Sequence, residues 1–320
     1  MQLSILASAT HERGIVNPTQ HKTLSTEPSE KAIRPKIWSN TIYTFFRRWP
    51  VFPALVLLAL VFSAVFAYQI SPYDPDAVSL RDRNVPPAWF SDGSTKYLLG
   101  TDHVGRDVLS RVIHGARISL AVAGVSLASG LVLGVVLGLL AGWYGGKIDE
   151  LITRIVDIWH ALPFLLVALV VVSLFGGSLL ILMGVLAMVS WVGFVRTVRA
   201  EVFVVKSQDY VLVAHTCGAS TYHIFKRHLI PGVMHAILVV ATLAVGGLIL
   251  TEATLSFLGA GIPAPTPSWG LMVSEGRDYL TDAWWSSFWP GLAIFLTVMS
   301  LNFLGDWLRD YFDPKLRQLV

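Results

Sequence analysis

Long apolar runs alternate with polar stretches along this 320-residue chain. The first run, residues 51–70, carries no charged residue and has the length of about 20 residues that a helix needs to cross about 30 Å of hydrocarbon. The pattern predicts an all-α polytopic membrane protein with six transmembrane helices, because five further runs are similarly apolar. These further runs cover residues 118–142, 148–174, 179–195, 232–255 and 288–304.

The polar stretches between the runs predict how the chain is organised. Residues 37–49 mix aromatic side chains with Arg47 and Arg48, which is typical of an interfacial helix ahead of a first span. The expected segments are a disordered cytoplasmic tail at 1–36, the interfacial helix and first span at 37–71, an extracytoplasmic loop at 72–117, a five-helix core at 118–308 with a cytoplasmic loop at 196–231, and a cytoplasmic tail at 309–320.

Composition supports this prediction and adds an orientation. The chain is 54% hydrophobic and 14% charged, whereas soluble domains carry about 25% charged residues. Lys and Arg are in excess before the first run, in the 196–227 stretch and at the C-terminus, whereas residues 256–288 contain Arg277 alone. This asymmetry places both termini in the cytoplasm. The basic residues beside apolar runs therefore report topology, and the net charge of +3 does not indicate nucleic-acid binding.

The sequence offers little for catalysis or metal binding. One cysteine excludes an intrachain disulfide framework, and the nine histidines provide only the His223 and His228 pair without a third ligand nearby. No GxxxxGK[ST] stretch for ATP phosphates occurs. We therefore predict no catalytic residue, no metal site and no cofactor held by this chain, which argues against an intramembrane enzyme.

Residues 209–231 (DYVLVAHTCGASTYHIFKRHLIP) form a mixed island between two apolar runs. The spacing i, i+3, i+4 and i+7 predicts one apolar stripe on a short helix. The stripe consists of Tyr210, Val213, Ala214 and Cys217. A stripe of this kind needs to be covered by lipid headgroups or by a partner protein.

Local signals predict how this island begins and turns. Ser207 or Asp209 is expected to cap the first helix, and Gly218 to end it in a left-handed turn. Ser220 is expected to cap a second helix that ends before Pro231. The last turn of that second helix gathers Lys226, Arg227 and His228.

The island resembles the cytoplasmic loop of ABC-transporter permeases, which reads close to DYVEAARALGAS…RHILP in the peptide-transporter branch. The chain departs from that wording where the family usually has glutamate, at Leu212, and also at Val213, His215, Thr216 and Cys217. The resemblance implies a coupling helix docked on an ATPase subunit, formed by Asp209, Tyr210, Val213, Ala214, Cys217, Gly218 and Ala219. The matching residues are Asp209, Tyr210, Val211, Ala214, Gly218, Ala219, Ser220, Arg227, His228 and Pro231.

Further phrases resemble the same permeases. Residues 100–120 follow the pattern GTDxxGRDxxSRxxxGxRxSL, and residues 252–270 follow EaxLSFLGxGxxPPxPxWG except at Ala264. The first phrase either seats a binding protein or gates the pathway, or it is a capped, salt-bridged helix start. Its candidate residues are Gly100, Thr101, Asp102, Gly105, Arg106 and Asp107.

Charged residues within predicted spans are candidates for the pathway or for structural pairs. Arg154 and Asp157 are three apart, so they can pair on one helix face. Glu252 is the single acid of its run, and it either faces the pathway or pairs at the interface. Glycines 130, 134, 138 and 142 repeat every four residues, which predicts close helix packing.

The resemblance implies the type I importer permease fold and identifies the chain as a second permease subunit of the dipeptide, oligopeptide and nickel importer family (DppC/OppC type). It implies a heterodimer with a homologous permease, two ATPase subunits that bind ATP, and an extracytoplasmic solute-binding protein, in the bacterial cytoplasmic membrane. Peptides are the favoured cargo, while nickel, glutathione and opines stay open. An ion-coupled secondary transporter is the alternative of another class, although the spans offer few intramembrane acids.

Overall fold

The computed structural model describes residues 50–312. The tail predicted at 1–36, the interfacial helix at 37–49 and the final residues 313–320 lie outside the described part of the chain. Within it, helices dominate, and the single β-bridge joins Thr101 to Asp107. The helices are α1 (Val51–Val65), α2 (Ala67–Ile70), α3 (Val108–Tyr144), α4 (Gly146–Ala161), α5 (Phe164–Phe175), α6 (Leu179–Lys206), α7 (Asp209–Thr216), α8 (Thr221–Ile224), α9 (Ile230–Phe257), α10 (Trp269–Gly276) and α11 (Trp285–Phe312), with short 3₁₀ turns at Leu80–Asp82 and Arg277–Tyr279.

Length and apolar composition identify four helices among residues 50–312 that can cross a membrane. They are α3, α6, the continuous stretch Thr221–Phe257 and α11, and the bent pair of α4 and α5 makes a fifth if it counts as one span. Helix α1 is apolar but has 15 residues, shorter than these spans. The polytopic helical fold is confirmed, and the number six stays a prediction.

The third predicted span, residues 148–174, is not a single helix. Helices α4 and α5 meet at 76° around Leu162 and Pro163. Proline lacks the N–H that would continue the helix and forces the preceding residue out of helical geometry. Leu162 accordingly has an extended backbone with φ −78° and ψ 127°.

Two helices extend beyond the predicted apolar runs. Helix α3 begins at Val108, where the Asp107 side chain accepts a hydrogen bond from the Ser110 N–H at 2.8 Å. The C-terminal part of the predicted loop 72–117 is therefore helical. At the other end of the chain, α11 continues to Phe312, beyond the predicted limit of 308.

The four repeated glycines of α3 bring this helix against α6, as predicted. A Cβ atom added at Gly138 would lie 2.8 Å from the Val198 Cβ and 3.0 Å from the Val195 carbonyl oxygen. The other three positions are at least as tight, so any larger residue would force the two helices apart. The α6 residues facing these glycines include Ser190, Phe194, Val198 and Val202.

Candidate functional site

The predicted helix–turn–helix island is present between α6 and α9. Helix α7 ends in a turn in which Gly218 has φ +80°, the left-handed conformation that favours glycine. The Ala219 N–H donates to the Ala214 carbonyl oxygen at 3.0 Å, which closes the turn. Ser220 then caps α8 by accepting a hydrogen bond from the His223 N–H at 3.3 Å.

The start of α7 differs from the prediction. Its N-cap is Gln208, which makes no side-chain capping bond, and Asp209 is the first helical residue. Ser207 is not a cap either, because its hydroxyl donates to the Val204 carbonyl oxygen at 2.9 Å, at the end of α6. Asp209 still lies in the first turn, where a negative charge interacts favourably with the helix dipole.

The second helix of the island does not end before Pro231. It continues from α8 through a π-helical turn, Phe225–Leu229, into α9. Pro231 has no N–H to donate, so the helix ladder loses one hydrogen bond at this point. In the turn before it, the Ile230 N–H donates to the Phe225 carbonyl oxygen, five residues earlier, as in a π-helix.

Helix α7 is attached to the rest of the chain by one side and presents apolar residues on the other. Val211 is buried in a cluster with residues that belong to both flanking segments. The predicted stripe is largely uncovered, since Tyr210 is 50% and Val213 59% exposed. Leu212, which replaces the usual glutamate, is also exposed and enlarges the apolar surface. The partners of Val211 in the cluster include Val205, Ile224, Leu229 and Val233.

A buried ion-pair network organises the GTDxxGRD phrase at the opposite end of the spans. Arg106 contacts Asp102 at 2.6 Å (Nε to Oδ2) and Glu275 at 2.8 Å (Nη2 to Oε2). Arg111 contacts the same two carboxylates at 3.8 and 3.2 Å. Glu275 lies in α10 and was not predicted, because it is 169 residues from Arg106 in the sequence.

The remaining residues of the phrase hold this network and the start of α3. Gly100 and Gly105 both have φ +83°, and a Cβ at Gly105 would lie 1.9 Å from the Ser79 carbonyl oxygen. The Thr101 carbonyl oxygen accepts a hydrogen bond from the Trp285 indole N–H at 2.9 Å. Burial raises the pKa of Asp107, and its hydrogen bonds from Ser110 oppose that shift. The phrase is thus a capped, salt-bridged helix start, and a docking or gating role stays a prediction.

The predicted pair of Arg154 and Asp157 is wrong. Arg154 pairs with Glu150, one turn earlier on α4, whereas Asp157 pairs with Arg196 of α6 at 2.9 Å. Both pairs are exposed in this chain. Side chains three residues apart can meet on a helix, but the packing of α4 on α6 gives Asp157 a different partner.

Glu252 has neither of its two predicted environments. Its side chain is 1% exposed, so it reaches no surface of the chain, and no cation pairs with it among residues 50–312. It accepts a hydrogen bond from the Ser256 hydroxyl at 2.8 Å and lies 3.5 Å from the Ser119 hydroxyl of α3. Glu252 therefore joins α9 to α3 inside the bundle.

Comparison with known proteins agrees with these features. The chain is similar to the di/tripeptide transport system permease protein DppC of Pseudomonas aeruginosa, at 43% identity over 82% of this chain and 87% of that protein. It is 41% identical to the dipeptide transport system permease protein DppC of Bacillus subtilis, over 82% and 81% of the two chains. The nickel transport system permease protein NikC of Escherichia coli K12 is 37% identical, over 84% and 95%.

A solved structure shares the fold. One chain of the MetNI methionine ABC transporter in an inward-facing conformation superposes with a TM-score of 0.51 at 19% identity, covering 63% of this chain and 97% of that one. A family model for the inner membrane component of binding-protein-dependent transport systems matches residues 134–318. Such a component is a membrane permease and not the catalytic subunit. The chain is therefore a multi-pass membrane protein that belongs to the binding-protein-dependent transport system inner membrane component family.

Proposed function

We propose that this chain forms half of the translocation pore of an ATP-driven importer of short peptides. The relatives named for di/tripeptide and dipeptide transport share 43% and 41% identity with it over most of its length. The nickel permease relative, at 37%, makes nickel import the second candidate. The family description and the distribution of basic residues support the bacterial cytoplasmic membrane with both termini inside.

The observation that carries the proposal is the uncovered apolar stripe on α7. A valine or tyrosine side chain left in water forgoes about 1.5–3 kcal/mol that burial would supply. A partner that covers Tyr210 and Val213 gains this free energy, and an ATPase subunit is the partner that suits a permease of this family. In this proposal residues 207–231 couple the pore to ATP bound by the partner, and the chain holds no cofactor itself.

The packing of Val211 suggests how a displacement of α7 would be transmitted to the membrane-spanning helices. Its cluster includes Val205 at the end of α6 and Val233 near the start of α9. A displacement of α7 would therefore move both helices together, a rigid-body switch between two packings of the bundle. The complete transporter would hold this chain, a homologous permease, two ATPase subunits and an extracytoplasmic solute-binding protein.

The proposal is tested by purifying the tagged chain from gently solubilised native membranes and identifying its companions. A second permease and ATPase subunits are expected, with uptake of short peptides into proteoliposomes that requires ATP. A chain that purifies alone, and that transports after reconstitution with an ion gradient instead of ATP, would contradict the proposal in favour of a secondary transporter.

A matched pair of glycine variants tests the coupling role of the island. Gly218 (φ +80°) and Gly259 (φ +81°) adopt the same conformation, and a Cβ at either position meets no atom within 4 Å. Replacing either by valine therefore adds backbone strain of about 1–2 kcal/mol, and the added Cβ atom meets no neighbour. We expect Gly218→Val to lower ATP-driven uptake about tenfold and Gly259→Val to leave it near the parental rate.

Uptake and ATP hydrolysis are measured for both variants in proteoliposomes, together with the amount of assembled complex. A Gly218→Val variant that assembles and transports at the same rate as Gly259→Val would remove the island from the coupling mechanism.

A further inference from the structure

A cavity of about 400 Å³ lies beneath the bend between α4 and α5, against α6. Its size is within the range of about 300–1,000 Å³ that is typical of small-molecule sites. Most of its lining is apolar, and its polar groups come from His160 and Arg196. The apolar lining includes Trp159, Phe164, Val167 and Val192.

The polar end of the cavity has a positive charge in its lining and a negative charge beside it. Arg196 lines the cavity and contacts Asp157 through its Nη2 at 2.9 Å. The two side chains are 51% and 60% exposed, and an exposed pair of this kind contributes only about 0–1 kcal/mol. A ligand with a carboxylate and an ammonium group can therefore replace the contact between Arg196 and Asp157 with its own contacts to these two side chains, at little cost in free energy.

The position of the pair along α6 favours a water-filled surface over lipid tails. Arg196 is 17 positions after Leu179, the first residue of α6, which corresponds to about 26 Å along the helix axis. A hydrocarbon core measures about 30 Å, and charged side chains within it face the bundle interior or an aqueous cavity. An acyl chain would fill the apolar part alone, and complementing the arginine and aspartate requires a peptide terminus or a lipid headgroup as well.

We propose that this cavity is a cargo-contact site of the translocation pathway, which takes an apolar side chain of a short peptide next to the charged terminus of that peptide. The inference rests on the proposed function as a peptide importer and adds the place and chemistry of contact. Arg196 is the group that meets the carboxylate, Asp157 meets the ammonium, and Trp159 and Phe164 enclose the side chain.

Two glycines of α6 provide a matched test. Gly193 lines the cavity and Gly184 does not, while a Cβ at either position meets no atom within 4 Å. Gly193→Leu therefore places a side chain at the cavity with an unobstructed Cβ atom, and Gly184→Leu adds the same side chain elsewhere on the helix. Both variants are made in the full transporter with its companion permease and ATPases.

Uptake of leucyl-leucine and of alanyl-alanine is measured in proteoliposomes at saturating solute-binding protein. In Gly193→Leu we expect leucyl-leucine uptake to fall about tenfold or more relative to alanyl-alanine, since filling an apolar pocket discriminates by side-chain size. In Gly184→Leu the ratio between the two peptides is expected to stay parental. If Gly193→Leu does not assemble, Gly193→Ala is expected to lower the same ratio by a smaller factor.

The other outcomes separate this inference from the proposed function. Parental uptake of both peptides with an unchanged ratio in the Gly193 variants overturns the cargo site alone. The same unchanged ratio together with loss of a bound phospholipid in native mass spectrometry assigns the cavity to lipid, and also overturns it. A parental transporter that imports no peptide overturns both proposals.

Discussion

The two ends of the bundle differ in which side chains they bury: one end buries charged residues, and the other exposes apolar residues. At the end that carries the GTDxxGRD phrase, the charged residues Asp102, Arg106 and Arg111 are buried and form ion pairs within the same chain. At the other end, the apolar residues Tyr210 and Val213 are left in solvent on α7. The first end buries its charges in ion pairs within this chain, whereas the second end leaves an apolar surface uncovered.

This difference predicts different consequences for substitutions at the two ends. Removing one member of a buried ion-pair network leaves an uncompensated charge, which destabilises the fold itself. Removing an exposed apolar side chain costs the isolated fold little, and its effect appears in association with another subunit. Three experiments test whether the two ends respond differently to substitution.

The largest expected effect is on Arg106. Arg106→Met removes a guanidinium that contacts both Asp102 and Glu275, so we expect a loss of about 3–5 kcal/mol in the free energy of unfolding. The control is Arg117→Met, because Arg117 is exposed and its guanidinium only stacks over the Tyr68 ring at 4.9 Å. Thermal unfolding of the detergent-purified complex measures both, and equal midpoints for the two variants would break the comparison.

A smaller effect on stability, with a clear effect on assembly, is expected for the stripe. Val213→Asn should change the free energy of unfolding by less than about 0.5 kcal/mol, because the side chain is 59% exposed. It should weaken binding of the ATPase subunits about tenfold or more, since burial of a valine contributes about 1.5–3 kcal/mol. Leu280→Asn, at an exposed leucine far along the chain, is the control in the same binding titration.

The smallest effect is a pH dependence in the loop that precedes α3. Hydrogen bonds from Ser79, Tyr97 and Lys96 lower the pKa of Asp82 below its ordinary value of 3.8. A lowered folded-state pKa contributes stability that is present above the unfolded value and is lost as the pH falls through the folded value. We expect the protection factors of amide hydrogens around Tyr97, which correct for the intrinsic exchange rate at each pH, to fall below about pH 4, and Asp82→Asn to remove this dependence.

The titration of Lys96 does not contribute to the pH dependence measured at acid pH. Its pKa is raised, mainly through its contacts with Tyr97 and Asp82, so the stability it contributes is lost only at alkaline pH. If amide protection around Tyr97 still fell at acid pH in Asp82→Asn, the effect would belong to another carboxylate of the loop.

Much of the fold could be predicted from local patterns. Apolar runs predicted the helices, Gly218 and Ser220 predicted the turn and cap of the island, and the four-residue glycine repeat predicted close helix packing, which the structure shows between α3 and α6. These features are decided within a few residues of the chain, where backbone conformation, helix periodicity and side-chain size act directly. The bend at Pro163 also had a local signal, although the apolar run around it concealed the break.

The sequence by itself thus determined a polytopic helical membrane protein with a structured helix–turn–helix island, because helix formation, turns and membrane burial depend on short-range patterns. Only the tertiary structure decided which charges meet. Arg106 pairs with Glu275, which is 169 residues away in the sequence, and Asp157 pairs with Arg196 instead of Arg154. Ion-pair partners depend on which helices pack together in space, and spacing along one helix does not contain that information.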